Sequence, residues 1–122
     1  MVMEKSDVFT VLDFITYNVG VNLVKEDGVQ KYVNRPYIEL NELVDTLAFG
    51  DPKYADYNEY KRQVYLYTVY HLYKEGYIVF TDDSCEFVYN HDYELCETNN
   101  VRIQGITFVG HQFMWDYKTK KV

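Results

Sequence analysis

Asp56-Tyr57-Asn58-Glu59, running on through Tyr60 and Lys61 to Glu75 and then into Gly76-Tyr77-Ile78-Val79-Phe80-Thr81, is the stretch that decides how this chain is read. Its first four residues have the D-x-x-E form of a capping box, in which each side chain satisfies an amide at the start of a helix. About five turns of unbroken helix-compatible sequence follow. Gly76 supplies the stop, and residues 77–81 read as a strand. The spacing therefore predicts a long helix over 56–75 that feeds directly into a β-strand.

Working outward, Tyr37-Ile38-Glu39-Leu40 alternates as a short strand after Pro36. Asn41 reads as the cap of a short helix carrying Leu43, Val44 and Leu47 and ended by Gly50, with Asp51-Pro52 as a turn. This helix and the long one make a helix-turn-helix pair. Residues 77–81 and 86–89 read as the two strands of a wing joined across Asp82-Asp83-Ser84, and 90–100 as a long polar connection. Val101-Arg102-Ile103 adds a strand. A last helix starts near Thr107 with Phe108, Phe113, Met114 and Tyr117 on its buried side and Lys118, Lys120 and Lys121 at its C-terminal end, where cations suit the helix dipole. At the other end of the chain, Ser6-Asp7 reads as the cap of a helix over 7–19, whose Val8, Val11, Leu12, Ile15 and Val19 form one apolar stripe closed by Gly20. Residues 20–35 are mixed, with a turn at Gly28, and read as either a short strand or a mobile loop. The expected fold is α+β, a winged helix-turn-helix: one domain over 1–122, with a helix and extension in 1–35 and the winged-helix core, including its last helix, in 36–118.

The chain has 122 residues, 48% of them hydrophobic, enough for one packed core. No apolar run approaches the roughly 20 residues of a transmembrane helix. Met1-Val2-Met3-Glu4-Lys5-Ser6 does not read as a signal peptide, so a cytoplasmic protein is expected. Cys85 and Cys96 could face each other across a hairpin, but two cysteines make no disulfide framework and a reducing compartment favours free thiols. Cys85, His91, Cys96 and His111 have a C-x5-H-x4-C spacing with a distant His that fits no common zinc pattern, so neither a metal nor any other cofactor is expected. No nucleophile elbow, phosphate loop, dinucleotide fingerprint or H-E-x-x-H occurs, and an enzyme is not expected.

The net charge of −7 bears most on partners. Nucleic-acid binders usually carry a positive stripe, because neutralising phosphates supplies much of their affinity. On a wheel at 100° per residue, Tyr65, Leu66, Val69, Leu72 and Tyr73 of the long helix share a core face. The opposite face carries Tyr60, Gln63, Val64, Tyr67, Tyr70, His71 and Lys74. A helix that reads the major groove offers Arg, Lys, Asn or Gln there; this one offers mostly tyrosine. The tyrosines are read either as packing beneath the first helix or the 20–35 segment, or as an exposed patch of the kind common at protein interfaces. The wing carries Asp82, Asp83, Glu86, Asp92, Glu94 and Glu97 with no Lys or Arg among them. It is read either as a solvated loop or as a surface that imitates phosphates and meets a basic groove on another protein.

Ile106-Thr107-Phe108-Val109-Gly110-His111-Gln112-Phe113-Met114 resembles the LTxxGHEFLD signature of a family of small phage and prophage winged-helix proteins. Upstream, residues 65–78 are similar to that family's YHLxxLxEAGLI junction between helix and wing, with Thr68 at the position of its histidine and His71-Leu72 where it has Leu-Leu. The resemblance spans about residues 60–118. It implies the fold, a phage-like origin and hence the cytoplasm of a bacterial host cell as the location, and it implies no activity. The leading expectation is a non-catalytic phage or mobile-element protein that binds a host protein, a basic nucleic-acid-binding one, through Tyr60, Tyr67, Tyr70, His71, Asp82, Asp83, Glu86, Asp92 and Glu94, as an anti-CRISPR inhibitor does. The alternatives are a phage transcriptional regulator that contacts DNA phosphates as a dimer through Lys61, Arg62, Lys74 and Arg102, and a homo-oligomer that buries the tyrosine face.

Overall fold

The computed structural model describes residues 4–49, 55–81, 87–89, 95–97 and 101–119. In chain order it forms α1 (Lys5–Asn18), β1 (Gly20–Glu26), β2 (Val29–Arg35), β3 (Ile38–Glu39), α2 (Leu40–Ala48), α3 (Ala55–Lys74), β4 (Ile78–Phe80), β5 (Phe87–Tyr89), β6 (Leu95–Glu97), β7 (Arg102–Ile106) and α4 (Phe108–Lys118). The fold is α+β, with small antiparallel sheets beside the helices. Among the described residues no helix is long and apolar enough to cross a membrane.

The core forms where the apolar stripes of three helices meet one face of a three-stranded sheet ordered β3-β7-β4. From α1 come Val8, Val11, Leu12 and Ile15, from α2 Leu40, Leu43, Val44 and Ala48, and from α3 Leu66, Val69 and Leu72. The sheet contributes Ile38, Ile103, Ile78 and Phe80, and α4 adds Met114. Strand alternation accounts for the sheet's part: Ile38 opposes Ile103 and Ile78 opposes Ile106, while Glu39 and Arg102 pair on the other face.

Several helix ends differ from the sequence reading. α1 starts at Lys5 with Glu4 as its cap, so Ser6 and Asp7 lie inside the first turn and Asp7 is buried. α2 starts at Leu40 after Glu39, because β3 ends there and the Leu40 amide donates to the Val101 carbonyl at 2.9 Å; Asn41 is therefore helical. α3 starts at Ala55, which puts Asp56 within the helix. Thr107 does cap α4, its hydroxyl accepting from the Gly110 amide at 3.2 Å. Phe108, expected inside, is 81% exposed, since Gly110 and Met114 set the inward side of α4 and Phe108 points away from both. Val19 is only half-buried, at the end of α1.

The strand pairing also needs correction. β4 does not form a hairpin with β5. It pairs with β7, with an irregularity between Val79 and Phe80, and β5 pairs with β6 instead. Pairing β4 with β7 brings Ile78 and Phe80 onto the same buried face as Ile103. The segment 90–100 thus contains a strand, and 82–100 is an excursion between two sheet neighbours. Residues 20–35 are neither a single strand nor a loop. β1 and β2 form a hairpin in unbroken register from Gly20↔Arg35 to Glu26↔Val29. Its turn is Asp27-Gly28, with φ of 52° and 79°, the pair of positive values that a two-residue turn needs to match strand twist.

Gly110 sits where α4 packs tightly on the Tyr77 backbone and the Ile106 side chain. A Cβ placed there would meet the Tyr77 carbonyl oxygen at 2.5 Å and run into the Ile106 side chain. A Cβ placed at Gly105 would meet no heavy atom within 4 Å, and the backbone there has no positive φ. Gly110→Ala should therefore cost about 1–3 kcal/mol, through overpacking against backbone that cannot yield. Gly105→Ala should stay within about 0.5 kcal/mol of the parent. Urea denaturation of both variants checks this, and equal midpoints would refute the packing argument.

Candidate interaction surface

α3 presents less free surface than its sequence suggests. Val64, Tyr65, Leu66, Thr68, Val69 and Leu72 are all buried, so the inward face covers about half the helix circumference. Val64, assigned to the outer face by the wheel, belongs to the inner one at 7% exposure. Thr68 is tolerated at 0% exposure because its hydroxyl donates to the Val64 carbonyl at 2.7 Å. Tyr67 and Tyr70 are half-buried and packed against the core cluster. Among the α3 residues whose side chains are described, what remains outward is a stripe of Glu59, Tyr60, His71 and Lys74 with half-buried Gln63, Tyr67 and Tyr70. Within it the Lys74 ammonium lies 5.7 Å from the centre of the Tyr70 ring, and the His71 ring meets Tyr70 edge-on at 5.5 Å.

The four cations of the DNA-reading alternative do not gather into one stripe. Lys61 turns toward α1, where its Nζ is 3.4 Å from Asp7 Oδ1 and 5.5 Å from the Tyr65 ring centre. Arg62 turns toward α2, its Nε donating to Asp45 Oδ1 at 2.8 Å and its Nη2 to Asn41 Oδ1 at 3.0 Å. Lys74 is at the far end of α3 from both. Arg102 lies on the outer face of the three-stranded sheet, over the Tyr37 ring at 4.7 Å. Lys61 and Arg62 thus pin α3 to its two neighbouring helices, and a phosphate approaching beside them would have to compete with Asp7 and Asp45.

Asp82, Asp83, Glu86, Asp92 and Glu94 lie outside the described residues, as do Cys85 and His91. The strands β5 and β6 that interrupt this acid-rich stretch are described, and β6 packs against α3. The end of the stretch is therefore held against the helix that carries the tyrosine stripe. Cys96 sits in β6 opposite Val88, and His111 is exposed on α4. Among the described residues no group of three His, Cys, Asp or Glu side chains is placed to hold a metal ion.

Two exposed apolar groups lie outside the surfaces that the sequence singles out. One face of the β1–β2 hairpin shows Val21, Leu23 and Tyr32 at 67%, 54% and 76% exposure. The outward side of α4 shows Phe108, Val109 and Trp115. Asp27-Gly28 between β-branched runs is the sequence signal for the hairpin, and the seven-residue spacing of Phe108 and Trp115 is the signal for the helix ridge.

The Asp7–Lys61 pair is more enclosed than the Asp45–Arg62 pair, with side-chain exposures of 11% and 25% against 52% and 27%. Double-mutant cycles to Ala, read by urea denaturation, should give a coupling of about 1 kcal/mol for Asp7–Lys61 and about 0.5 kcal/mol or less for Asp45–Arg62. No coupling at Asp7–Lys61 would mean that this contact does not hold α1 to α3. Neither a protein-family model nor a curated protein nor a solved structure matches the chain.

Proposed function

We propose that this is a non-catalytic, winged-helix-like protein of phage or mobile-element origin that binds another protein through its acidic, tyrosine-bearing side. The partner's chemistry is that of a basic nucleic-acid-binding groove, and the effect is to block a host system that handles nucleic acid. Support for the winged-helix reading comes from the wiring. Two helices, α2 and α3, separate β3 from β4, and the excursion 82–100 separates β4 from its sheet neighbour β7. The phage origin rests on the resemblance of residues 106–114.

One observation carries the functional reading: Lys61 and Arg62 of α3 are engaged inside the molecule, while the acid-rich stretch ends against the same helix. The two cations are drawn to Asp7 and Asp45, and β6 packs on α3. A phosphate backbone approaching that side would be repelled, and a lysine- and arginine-rich groove would be attracted and oriented. The tyrosine stripe, on the helix that β6 packs against, supplies amphipathic contact area of the composition that interface centres favour.

The test is a capture experiment from a bacterial host lysate after nuclease treatment. Its control is the chain with Asp82→Asn, Asp83→Asn, Glu86→Gln, Asp92→Asn and Glu94→Gln combined. The expected result is a basic nucleic-acid-binding protein that survives nuclease, is released by salt, and is lost with the neutralised chain at unchanged melting temperature. A clear, sequence-preferring shift of duplex DNA at physiological salt would refute the proposal in favour of the regulator.

A further inference from the structure

Where one flank of α4 meets the turn after α3, a cavity of about 270 Å³ opens, lined by Tyr77, Phe108, Val109, Gln112, Phe113 and Asp116. Residues four apart on a helix share a side, so Phe108, Gln112 and Asp116 form one row and Val109 and Phe113 the next. Tyr77 closes the cavity from the turn that Gly76 makes. The Tyr77 and Phe113 rings stand 5.9 Å apart and are inclined at 44°, so they form two walls at an angle and not a parallel stack. The lining is therefore mostly aromatic and aliphatic, and its only charge is the Asp116 carboxylate.

That carboxylate is placed against its ordinary preference. Asp116 is half-buried, and it lies in the last turn of α4, where the negative end of the helix dipole disfavours an anion. Among the described residues no Lys or Arg is paired with it. Lys118, two residues on, lies instead over the Phe9 ring of α1 at 5.8 Å. The partner Asp116 does have is Gln112, whose Nε2 donates to Oδ1 at 3.0 Å. This bond steadies the carboxylate and leaves it with lone pairs to accept further hydrogen bonds.

We propose that the cavity is a socket for an arginine side chain of another protein. Aromatic faces carry partial negative charge and attract a cation. A guanidinium stacks on such faces, is more weakly hydrated than an ammonium, and directs its N–H fork at a carboxylate. The apolar walls suit the methylene stem. Other ligand classes fit less well. A neutral apolar group would bury Asp116 further without a countercharge, a quaternary ammonium has no N–H to offer it, and an anion would be repelled. The inference rests on the basic partner proposed above only for the source of the arginine; the chemistry of the cavity is independent of it.

Titration of the isotope-labelled chain with Nα-acetyl-arginine methylamide, followed by the backbone amide resonances, tests the socket. The neutral citrulline analogue has the same shape without the charge and serves as the comparison. The expected result is a saturable shift confined to Tyr77 and residues 108–116, in the millimolar range that suits one side chain, with the citrulline analogue at least about tenfold weaker. Asp116→Asn should weaken the arginine derivative by a similar factor at unchanged melting temperature and leave the citrulline analogue as it was. Glu59→Gln removes the same charge from the exposed start of α3 and should change binding by less than about twofold, since a distant exposed charge is screened. Equal binding of the two derivatives, shifts centred elsewhere, or equal losses with Asp116→Asn and Glu59→Gln would each overturn the socket. A failed capture from lysate with this titration intact would count against the proposed partner and not against the cavity.

Discussion

The structure depends on one left-handed residue. Gly76, at φ 79°, ends α3 with the Tyr77 amide donating to the Leu72 carbonyl at 2.8 Å and its own amide donating to the Tyr73 carbonyl at 3.2 Å, the paired closure of a Schellman motif. The same two residues then hold the start of α4. The Thr107 hydroxyl donates to the Gly76 carbonyl at 2.6 Å and the Thr107 amide to the Tyr77 carbonyl at 2.9 Å. A single turn therefore joins the end of α3, the start of β4, the end of β7 and the cap of α4. Most residues would resist that backbone conformation, which glycine adopts freely. Gly110 completes the joint by letting α4 approach the Tyr77 carbonyl more closely than any side chain would allow.

From that joint the charge distribution follows. With α3 fixed against α1 and α2, its Lys61 and Arg62 come within reach of Asp7 and Asp45, and Arg35 at the end of the hairpin reaches Glu42 on α2 at 2.8 Å. The more exposed of these pairs, Arg35–Glu42 and Arg62–Asp45, add little stability individually. Their larger effect is on where the excess charge is left. The chain has 12 Lys and Arg against 19 Asp and Glu, and cations engaged between elements cannot balance acids elsewhere. The stretch from Asp82 to Glu97 has none of its own.

How legible all this is in the sequence depends on the range of the interaction involved. The helices are readable because their stripes are local: Val8, Val11, Leu12 and Ile15 on α1 and Leu43 and Val44 on α2 are buried as their spacing implies. So are Gly76 and the Thr107 cap, each a signal within a few residues. The pairing of β4 with β7 is not, because about twenty residues separate the partners and a nearer apolar run at 87–89 invites a false hairpin. The β1–β2 hairpin escapes the reading because its apolar residues fall on both faces, which blurs the period-two signal even though Asp27-Gly28 announces the turn. Helix starts slip because Glu4 and Glu39 cap without any side-chain hydrogen bond, so a search for Ser, Asp or Asn points to the wrong residue. Of the candidate site, the tyrosine face is legible as residues but not as surface. A wheel cannot show that neighbouring elements bury Val64 and Thr68 and half-cover Tyr67 and Tyr70.

The aromatic richness of the chain therefore divides by what the rings touch. Tyr73 stacks on Phe80 at 4.1 Å, tying α3 to β4, while Phe9, Tyr117, Phe113 and Tyr77 form a row at 4.7, 6.1 and 5.9 Å that joins α1 through α4 to the start of β4. Those rings are mortar between elements, and the abundance of tyrosine needs no binding partner to account for them. Their hydroxyl ends tolerate water, so tyrosine can seal a seam at the edge of a small core where leucine would leave apolar surface exposed. Phe108 and Trp115 obey the opposite logic. Among the described residues they seal no seam, they have less polarity to satisfy, and they stand exposed at the pole of the helix farthest from the core. A helix with an apolar inner face and an aromatic outer one has one side for its own chain and another that a second molecule can cover. The hydrophobic effect does not distinguish the two.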